Sequence, residues 1–225
     1  MKKIVLANWK ANFSPERALQ WCDTLLATLQ PLRNVELVLA VPALCMERVA
    51  EKVQHIAGMS LAAQGVSSFP QGSYTGSLPA AWFRGLARYA LIGHRERRQY
   101  FHETNQDVAR QGFEALAEDL QPIVCLDAEQ MQAQAAAFAQ EDLEKIMWAY
   151  TPVTPASLEM ARSGQEISTK ALEMAKRLES RAVLYGGGVS PENALQIIQL
   201  SGISGVMLGQ GCLDATAFAK MVNQL

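Results

Sequence analysis

The chain has 225 residues, of which 49% are hydrophobic, enough to bury a sizeable core in water. Its 20 basic and 22 acidic side chains nearly cancel, which argues against a nucleic-acid surface but allows a local anion site. No stretch of the sequence is long and apolar enough to span a bilayer. We therefore expect one domain over residues 1–225, bound neither to nucleic acid nor to a membrane.

The four cysteines lie far apart, within or beside apolar stretches, and form no C-x-x-C pair. They are Cys22, Cys45, Cys125 and Cys212. This pattern indicates reduced, buried thiols in a cytoplasmic protein rather than disulfides or a metal site. The N-terminal sequence MKKIVLANWK starts like a signal peptide, but its apolar run stops after four residues at Asn8. We therefore predict a first strand there instead.

Eight short apolar runs follow one another along the chain, with helical patterns between them. The predicted strands cover residues 4–7, 37–41, 60–63, 89–92, 123–126, 146–149, 182–185 and 205–208. The runs do not alternate between polar and apolar residues, which is typical of parallel strands that are covered on both faces.

Helices are predicted between these strands. Apolar residues recur three and four positions apart in segments such as 18–29 and 46–53, which indicates one buried helix face. The sequence Ser-Pro-Glu at 14–16 and again at 190–192 combines an N-cap, a first-turn proline and an acidic residue, and predicts a helix start at each place. The alternation predicts a (β/α)8 barrel with some brief helices, and an open doubly wound sheet is the alternative.

In either fold, functional residues belong in the loops after the carboxyl ends of the strands. Lys10 follows the first strand and is either a solvated charge or a cation over an anionic ligand. His94 follows the fourth strand at a predicted helix N-terminus, where the helix dipole and unpaired N–H groups disfavour the imidazolium. A neutral imidazole there donates a hydrogen bond to a substrate carbonyl or serves only as a helix cap.

Three further loops stand out by length or by glycine content. The third, at residues 66–79, is long for a connection between a strand and a helix, which indicates function or partner binding. Glycine-rich turns at 186–188 and 209–211 follow the seventh and eighth strands. Glycine lets the backbone approach an anion, and these loops are the habitual phosphate site of such a barrel. Tight turns without a ligand are the alternative.

Short segments along nearly the whole chain form an ordered set. They are residues 7–10 (ANWK), 62–64 (AAQ), 74–76 (YTG), 92–94 (IGH), 96–98 (ERR), 103–104 (ET), 122–125 (PIVC), 149–150 (AY), 152–153 (PV), 185–187 (YGG) and Val189. In this order they resemble the triosephosphate isomerase family. The resemblance implies a single-domain (β/α)8 barrel, an aldose–ketose isomerase of triose phosphates without a cofactor, and a cytoplasmic homodimer.

The resemblance also implies roles for individual residues. Lys10 and His94 would polarise the substrate, with Asn8 and Glu96 beside them. Thr151 stands where the family has the glutamate that shuttles a proton between adjacent carbons. A hydroxyl is no carboxylate base near neutral pH, and losing a positioned base typically costs about 10²–10⁴ in rate. We therefore expect binding of a phosphorylated sugar of the glyceraldehyde 3-phosphate or dihydroxyacetone phosphate type, with weak or absent isomerisation.

The same comparison assigns the phosphate site and the lid. Gly187, Gly188, Gly209 and Gln210 match the phosphate-binding positions, although Gly188 replaces a serine and Gln210 replaces a glycine. The family's lid sequence is missing after the sixth strand, where Thr-Pro at residues 154–155 predicts a short helix instead. The segment between the fifth and sixth strands is also short, so the fifth helix should be trimmed.

Dimerisation would involve the third loop. In the family, the tip formed here by Tyr74, Thr75 and Gly76 inserts into the partner subunit, so we expect a homodimer through residues 67–79. Ser77 stands where the family has an acidic residue that is able to pair with an arginine such as Arg97. We therefore expect a dimer whose interface lacks this ion pair and is slightly less stabilised by electrostatic attraction.

Two alternatives stay open for the function. Asp127 or Glu129, at the end of the fifth strand, is a candidate displaced base in an active isomerase of another sugar phosphate. Either residue serves equally well as a helix cap or a first-turn acid. The other alternative is a non-catalytic binding or regulatory protein whose ligand is a phosphorylated sugar or another small anion.

Overall fold

The computed structural model describes residues 2–152, 163–180 and 183–225. Eight parallel strands form a closed barrel in which each strand pairs with the next and the last pairs with the first. The strands are β1 (Lys3–Asn8), β2 (Val35–Val41), β3 (Met59–Ala63), β4 (Tyr89–Ile92), β5 (Gln121–Leu126), β6 (Met147–Tyr150), β7 (Val183–Tyr185) and β8 (Ile203–Leu208). The predicted (β/α)8 barrel is confirmed, and the open doubly wound sheet is excluded.

Eight α-helices surround the barrel within the described ranges. They are α1 (Pro15–Thr28), α2 (Met46–Val53), α3 (Arg95–Phe101), α4 (Asn105–Ala117), α5 (Met131–Ala135), α6 (Gly164–Arg177), α7 (Ala194–Ile198) and α8 (Ala215–Val222). Short 3-10 helices cover Ala43–Cys45, Ala80–Phe83, Ala128–Gln130, Gln140–Lys145 and Gln210–Cys212. The predicted brief helices are confirmed, since α5 and α7 have five residues each.

The strands bury both of their faces. One cluster of buried side chains fills the barrel interior and includes Leu6, Ala62 and Ala149. The residues between them on each strand, such as Val5 on β1 and Trp148 on β6, belong to the larger cluster that packs against the helices. Burial on both faces explains the continuous apolar runs in the sequence.

The predicted helix starts differ in outcome. Ser14 caps α1 as predicted, because its side chain accepts a hydrogen bond from the Arg17 N–H. The prediction at residues 190–192 is wrong, since α7 begins only at Ala194. The Asn193 side chain accepts the Ser190 N–H at 2.9 Å and so holds the preceding residues in a turn.

The expectation that every strand is followed by a helix also fails once. Residues 64–88 are all described, and they contain one 3-10 helix, Ala80–Phe83, and no α-helix. The loop at residues 66–79 takes up most of this connection, and Pro79 precedes the 3-10 turn, so little chain is left for a helix before β4.

All four cysteines are free thiols and buried, as predicted. Burial raises the pKa of Cys22, Cys125 and Cys212 to about 12. These thiols are therefore protonated at neutral pH and are poor nucleophiles in the folded chain.

Candidate active site

The first layer of residues at the barrel mouth follows from the two-residue period of the strands. The last interior residues of β1, β3 and β6 are Leu6, Ala62 and Ala149. Because side chains alternate along a strand, the residue two positions further faces the same way. This rule places Asn8, Gln64 and Thr151 over the open carboxyl end of the barrel.

Lys10 has a strained backbone directly after β1. Its φ of 51° lies in the left-handed region, which is uncommon for a residue with a side chain. The Lys10 N–H donates to Asn8 Oδ1 at 3.1 Å, and its carbonyl accepts from Gln64 Nε2 at 3.0 Å. The Lys10 Nζ donates to Glu96 Oε1 at 2.6 Å. Loop one thus fixes an ammonium group at the mouth.

His94 is the N-cap of α3, and its ring is held by that helix. Its Nδ1 accepts the Glu96 N–H at 3.2 Å, which places the proton of a neutral ring on Nε2. Burial lowers the pKa of His94 to about 4, and the Lys10 and Arg95 charges add to this, against the opposing effect of Glu96. At pH 7 the ring is neutral, and its Nε2–H is a hydrogen-bond donor.

Glu96 connects the lysine and the histidine. Burial opposes ionisation of its carboxyl group, but the hydrogen bond from Lys10 and the neighbouring positive charges outweigh it, so its pKa lies below the usual value. The carboxylate therefore neutralises Lys10 and keeps its ammonium group in place. Of the predicted catalytic residues, the structure brings Asn8, Lys10, His94 and Glu96 together.

A cavity of about 500 Å³ opens beside this cluster. Its polar lining includes Asn8, Lys10, Gln64, His94, Glu96 and Arg97, and its apolar lining includes Val66, Leu78, Phe83, Leu91 and Phe101. The described residues around this cavity come from the first four loops and from the elements that flank them. These loops therefore form a pocket that is lined by both charged and apolar side chains.

Gln64 ends the AAQ segment at residues 62–64, but neither the pattern nor the resemblance predicts a role for it. Its Nε2 donates to the carbonyls of Lys10 and Ala40, at 3.0 and 2.9 Å. The position of Gln64, two residues beyond the last interior residue of β3, is a signal in the sequence that would have placed it at the mouth.

Thr151 extends the ladder beyond the end of β6. Its N–H and its Oγ1 both donate to the Leu126 carbonyl, at 2.9 and 3.3 Å. The side chain is buried, and a Cβ added at Gly186 would lie 3.1 Å from its methyl group. Thr151 therefore presents a neutral hydroxyl that is turned toward a backbone oxygen. The helix start predicted at residues 154–155 lies outside the described residues.

Asp127 follows β5 and is the candidate displaced base. Its Oδ1 accepts the Ala128 N–H, and Gln130 completes a capping box around the 3-10 helix Ala128–Gln130. Glu129 is exposed on the same turn. Neither acid is among the described residues that line the 500 Å³ cavity. The helix-cap alternative for Asp127 is therefore present in the structure.

The glycine turn after β7 is tightly packed. A Cβ on Gly187 would lie 2.6 Å from both Pro152 Cγ and Tyr185 Oη. Gly188 has a φ of 63°, a conformation that favours glycine. Because α7 begins only at Ala194, these glycines lie in a turn and not at a helix N-terminus.

The second glycine turn lies next to the lysine. A Cβ on Gly209 would be 3.3 Å from Lys10 Cε and 3.6 Å from its Nζ. The Cys212 thiol donates to the Gly209 carbonyl at 3.0 Å and holds the turn from below. Gln210 is exposed and begins the 3-10 helix Gln210–Cys212, so loop eight leads first into a single turn.

The predicted dimer loop projects from the barrel. Tyr74, Thr75 and Gly76 are exposed at its tip. The Tyr74 ring stacks on Phe69, with ring centroids 4.6 Å apart and an angle of 12° between the planes. The tip is therefore ordered by its own aromatic contact, with both rings partly exposed.

Arg97 contacts a carboxylate of its own chain. Its Nε and Nη2 donate to Glu103 Oε1 at 2.9 and 2.7 Å, and its guanidinium lies 4.3 Å from the centroid of the Phe101 ring. Ser77, at the position where the family carries an acid, lines the same cavity as Arg97.

Within the described ranges, no three His, Cys, Asp or Glu side chains are grouped so that they could hold a metal ion. The same part of the chain contains no helix that is long and apolar enough to cross a membrane.

Comparison with known proteins identifies the family of this chain. A family model described as "Triosephosphate isomerase" matches residues 3–225. The triosephosphate isomerase of Herminiimonas arsenicoxydans is 31% identical over 99% of this chain and 98% of that protein, and that of Deinococcus radiodurans is 29% identical over 100% of both. The structure of the Bartonella henselae triosephosphate isomerase covers 100% of both chains with a TM-score of 0.81 at 21% identity, which supports the fold. The chain belongs to the triosephosphate isomerase family.

Proposed function

We propose that this chain binds a small phosphorylated sugar of the triose phosphate type at the carboxyl end of the barrel, and that its isomerase activity is weak or absent. Lys10 and the Nε2–H of His94 are the groups that would polarise the ligand carbonyl, with Asn8 holding the Lys10 backbone. A preorganised ammonium and a neutral imidazole donor stabilise a developing oxyanion without reorganisation.

Thr151 is the observation that carries the proposal. Isomerisation requires a base that removes a proton from carbon, and an alcohol is a poor base near neutral pH. The Thr151 hydroxyl also donates to the Leu126 carbonyl, so it is held by β5. The proposed site therefore combines carbonyl polarisation with a neutral side chain at the base position.

The phosphate group would be held by backbone N–H groups of Gly187, Gly188, Gly209 and Gln210. The packing of Gly209 against the end of Lys10 supports this assignment, because it brings the ammonium group next to loop eight. One cation is then near both the carbonyl and the phosphate of a short ligand.

We further infer a homodimer that forms through residues 67–79, with each chain as a single cytoplasmic domain of residues 1–225. The exposed aromatic tip and the open cavity beside Lys10 support this assembly, because one is a projection and the other a recess on the same chain. Sedimentation velocity of the wild type and of Tyr74→Ser would test it, with a shift toward monomer expected for the variant.

The test of activity is a coupled assay with glyceraldehyde 3-phosphate on protein from a host that lacks its own isomerase. We expect Thr151→Glu to raise turnover by about 10²–10⁴ over the wild type. Thr151→Gln is the matched control, since it has the same size without a basic carboxylate, and it should stay as slow as the wild type. Brisk turnover by the wild type would contradict the proposal, and so would a failure to bind dihydroxyacetone phosphate in calorimetry.

A displaced base is the second candidate. Asp127 lies two residues beyond Cys125, an interior residue of β5, so strand alternation favours a position at the mouth. If Asp127 is the base of an active isomerase, Asp127→Asn abolishes wild-type turnover of a sugar phosphate. Unchanged turnover removes this alternative and leaves the helix cap as the function of Asp127.

A further inference from the structure

The left-handed backbone conformation of Lys10 is not explained by its residue type, because lysine has no preference for a positive φ. A residue with a side chain rarely adopts a φ of 51°, and such a conformation persists only where neighbouring groups impose it. At Lys10, the backbone N–H and the backbone carbonyl both make hydrogen bonds with side chains. The N–H is held by Asn8 Oδ1 within the same loop, and the carbonyl is held by Gln64 Nε2 from the end of β3.

Gln64 connects three neighbouring strands. Its second amide hydrogen bond goes to the Ala40 carbonyl on β2, at 2.9 Å. The same oxygen also accepts the Trp9 N–H at 3.1 Å, which extends the pairing of β1 with β2 by one residue. The Gln64 amide therefore donates to the end of β2 and to Lys10 at the same time. The bond to Lys10 joins residues that are 54 positions apart in the chain.

We propose that Gln64 is a positioning residue that keeps Lys10 in the left-handed conformation and thereby aims its ammonium group. The role of that ammonium group in ligand binding rests on the proposed function above. Without the Gln64 donor, the carbonyl of Lys10 is released and the peptide group is able to turn. The Nζ, 2.6 Å from Glu96 Oε1, would then move away from the cavity.

The chemistry of the amide explains why glutamine suits this position. Both of its partners are carbonyl oxygens, so the side chain must present two N–H donors toward them. A carboxylate of the same shape presents an acceptor to two acceptors and is repelled by both. A protonated carboxyl group recovers one donor, so Gln64→Glu should regain part of the native arrangement in acid, whereas Gln64→Leu should not.

The first experiment reports on the Lys10 backbone and needs no ligand. The ¹³Cα and ¹³Cβ shifts of Lys10 depend on the sign of φ, and we would record them in the wild type, Gln64→Leu, Gln64→Glu and Gln54→Glu. Gln54 is an exposed glutamine at the end of α2 and gives the matched control. We expect both Gln64 variants to lose the left-handed shifts at pH 7.5, Gln64→Glu to recover them toward pH 5, and the control to keep them. Native shifts in Gln64→Leu would overturn the proposal.

The second experiment measures the consequence for the site in the Thr151→Glu background. Misplacing a catalytic group by about 1 Å costs on the order of 10² in rate, so we expect Gln64→Leu to lower kcat/KM for glyceraldehyde 3-phosphate about 100-fold, mainly through kcat. For Gln64→Glu, the loss of kcat/KM relative to the Thr151→Glu parent at the same pH should be smaller at pH 5 than at pH 7.5. A loss that does not depend on pH, or no loss, counts against positioning.

The two experiments separate the two ideas. If the Thr151→Glu parent neither binds nor turns over triose phosphates, the proposed function fails. The ¹³C chemical shifts of Lys10 then still decide the role of Gln64. If the parent is active and Gln64→Leu retains both its kcat and the native Lys10 shifts, the role of Gln64 fails and the proposed function stands. Thermal unfolding of each variant identifies any loss that comes from global destabilisation.

Discussion

The two halves of the barrel mouth use their polar groups differently. On the side of β1 to β4, hydrogen bonds link Lys10, Gln64, His94 and Glu96 around a cavity, and they include an ion pair between the Lys10 and Glu96 side chains. On the side of β5 to β8, the polar side chain of Thr151 is bonded to the backbone and the turns are made of glycine. In the proposed function, the half that would polarise the carbonyl keeps charged side chains, whereas the position of the base carries the neutral hydroxyl of Thr151.

The largest effect is expected at His94, in the half on the side of β1 to β4. In the Thr151→Glu background, His94→Asn keeps a good N-cap but removes the Nε2–H donor. We expect kcat to fall by about 10²–10³, as for the loss of one oxyanion donor. The coupled assay would measure it, with the exposed His55→Asn as control. A fall of less than tenfold would mean that this half does not polarise the substrate.

The same histidine should make stability depend on pH. Its pKa is about 4 in the folded chain, against about 6.5 when unfolded, so between these values the unfolded chain binds more protons. The free energy of unfolding should therefore fall as pH drops from 6.5 to 4, by up to about 3 kcal/mol. Glu96, whose pKa is also lowered, adds a loss in the same direction.

Urea unfolding at several pH values tests this linkage. The wild type should lose stability steadily between pH 6.5 and 4, and His94→Asn should show a shallower slope because the group that gains the proton is gone. Parallel slopes for the two proteins would show that the His94 ring is not buried in its neutral form.

In the glycine-rich half, Gly187→Ala tests whether the turn is limited by packing. The added methyl group would lie 2.6 Å from Pro152 and from Tyr185, and overpacking of this kind costs about 1–3 kcal/mol of unfolding free energy. Gly164→Ala is the control, since among the described residues its added Cβ comes no closer than 3.4 Å, to Leu200. Equal urea midpoints for both variants would show that the turn after β7 has room to spare.

The smallest effect is expected from Gly188→Ser, which restores a hydroxyl at a proposed phosphate position. One hydrogen bond to a charged group contributes about 1.5 kcal/mol, which is roughly tenfold in affinity. Calorimetry with inorganic phosphate would measure it. Gly188→Ala has the same backbone strain at a φ of 63° without the hydroxyl, and it should not tighten binding. Equal affinities of the two variants would argue against phosphate at this turn.

The strands could be predicted well because a strand that is buried on both faces appears in the sequence as a continuous apolar run. Residues 37–41, for instance, were predicted as a strand and lie within β2, Val35–Val41. The failures have local causes. The turn before α7 depends on one Asn193 side-chain hydrogen bond, and the connection before β4 is used up by a long loop.

The candidate site was only partly predictable. The positions of Lys10, His94 and Thr151 follow from strand ends, so pattern and resemblance both place them. The left-handed Lys10 backbone and the use of the Gln64 amide depend on hydrogen bonds between residues far apart in the chain. No local propensity encodes such bonds, because they exist only after the barrel has closed.

The buried thiols have a practical consequence. Cys22 is on α1, Cys125 is on β5, and Cys212 follows β8, and each has a pKa of about 12. An alkylating reagent at neutral pH therefore labels these sulfurs only when their surroundings open. The three labelling rates under native conditions would therefore report how often the structure opens locally around α1, around β5 and after β8. No engineered probe is needed.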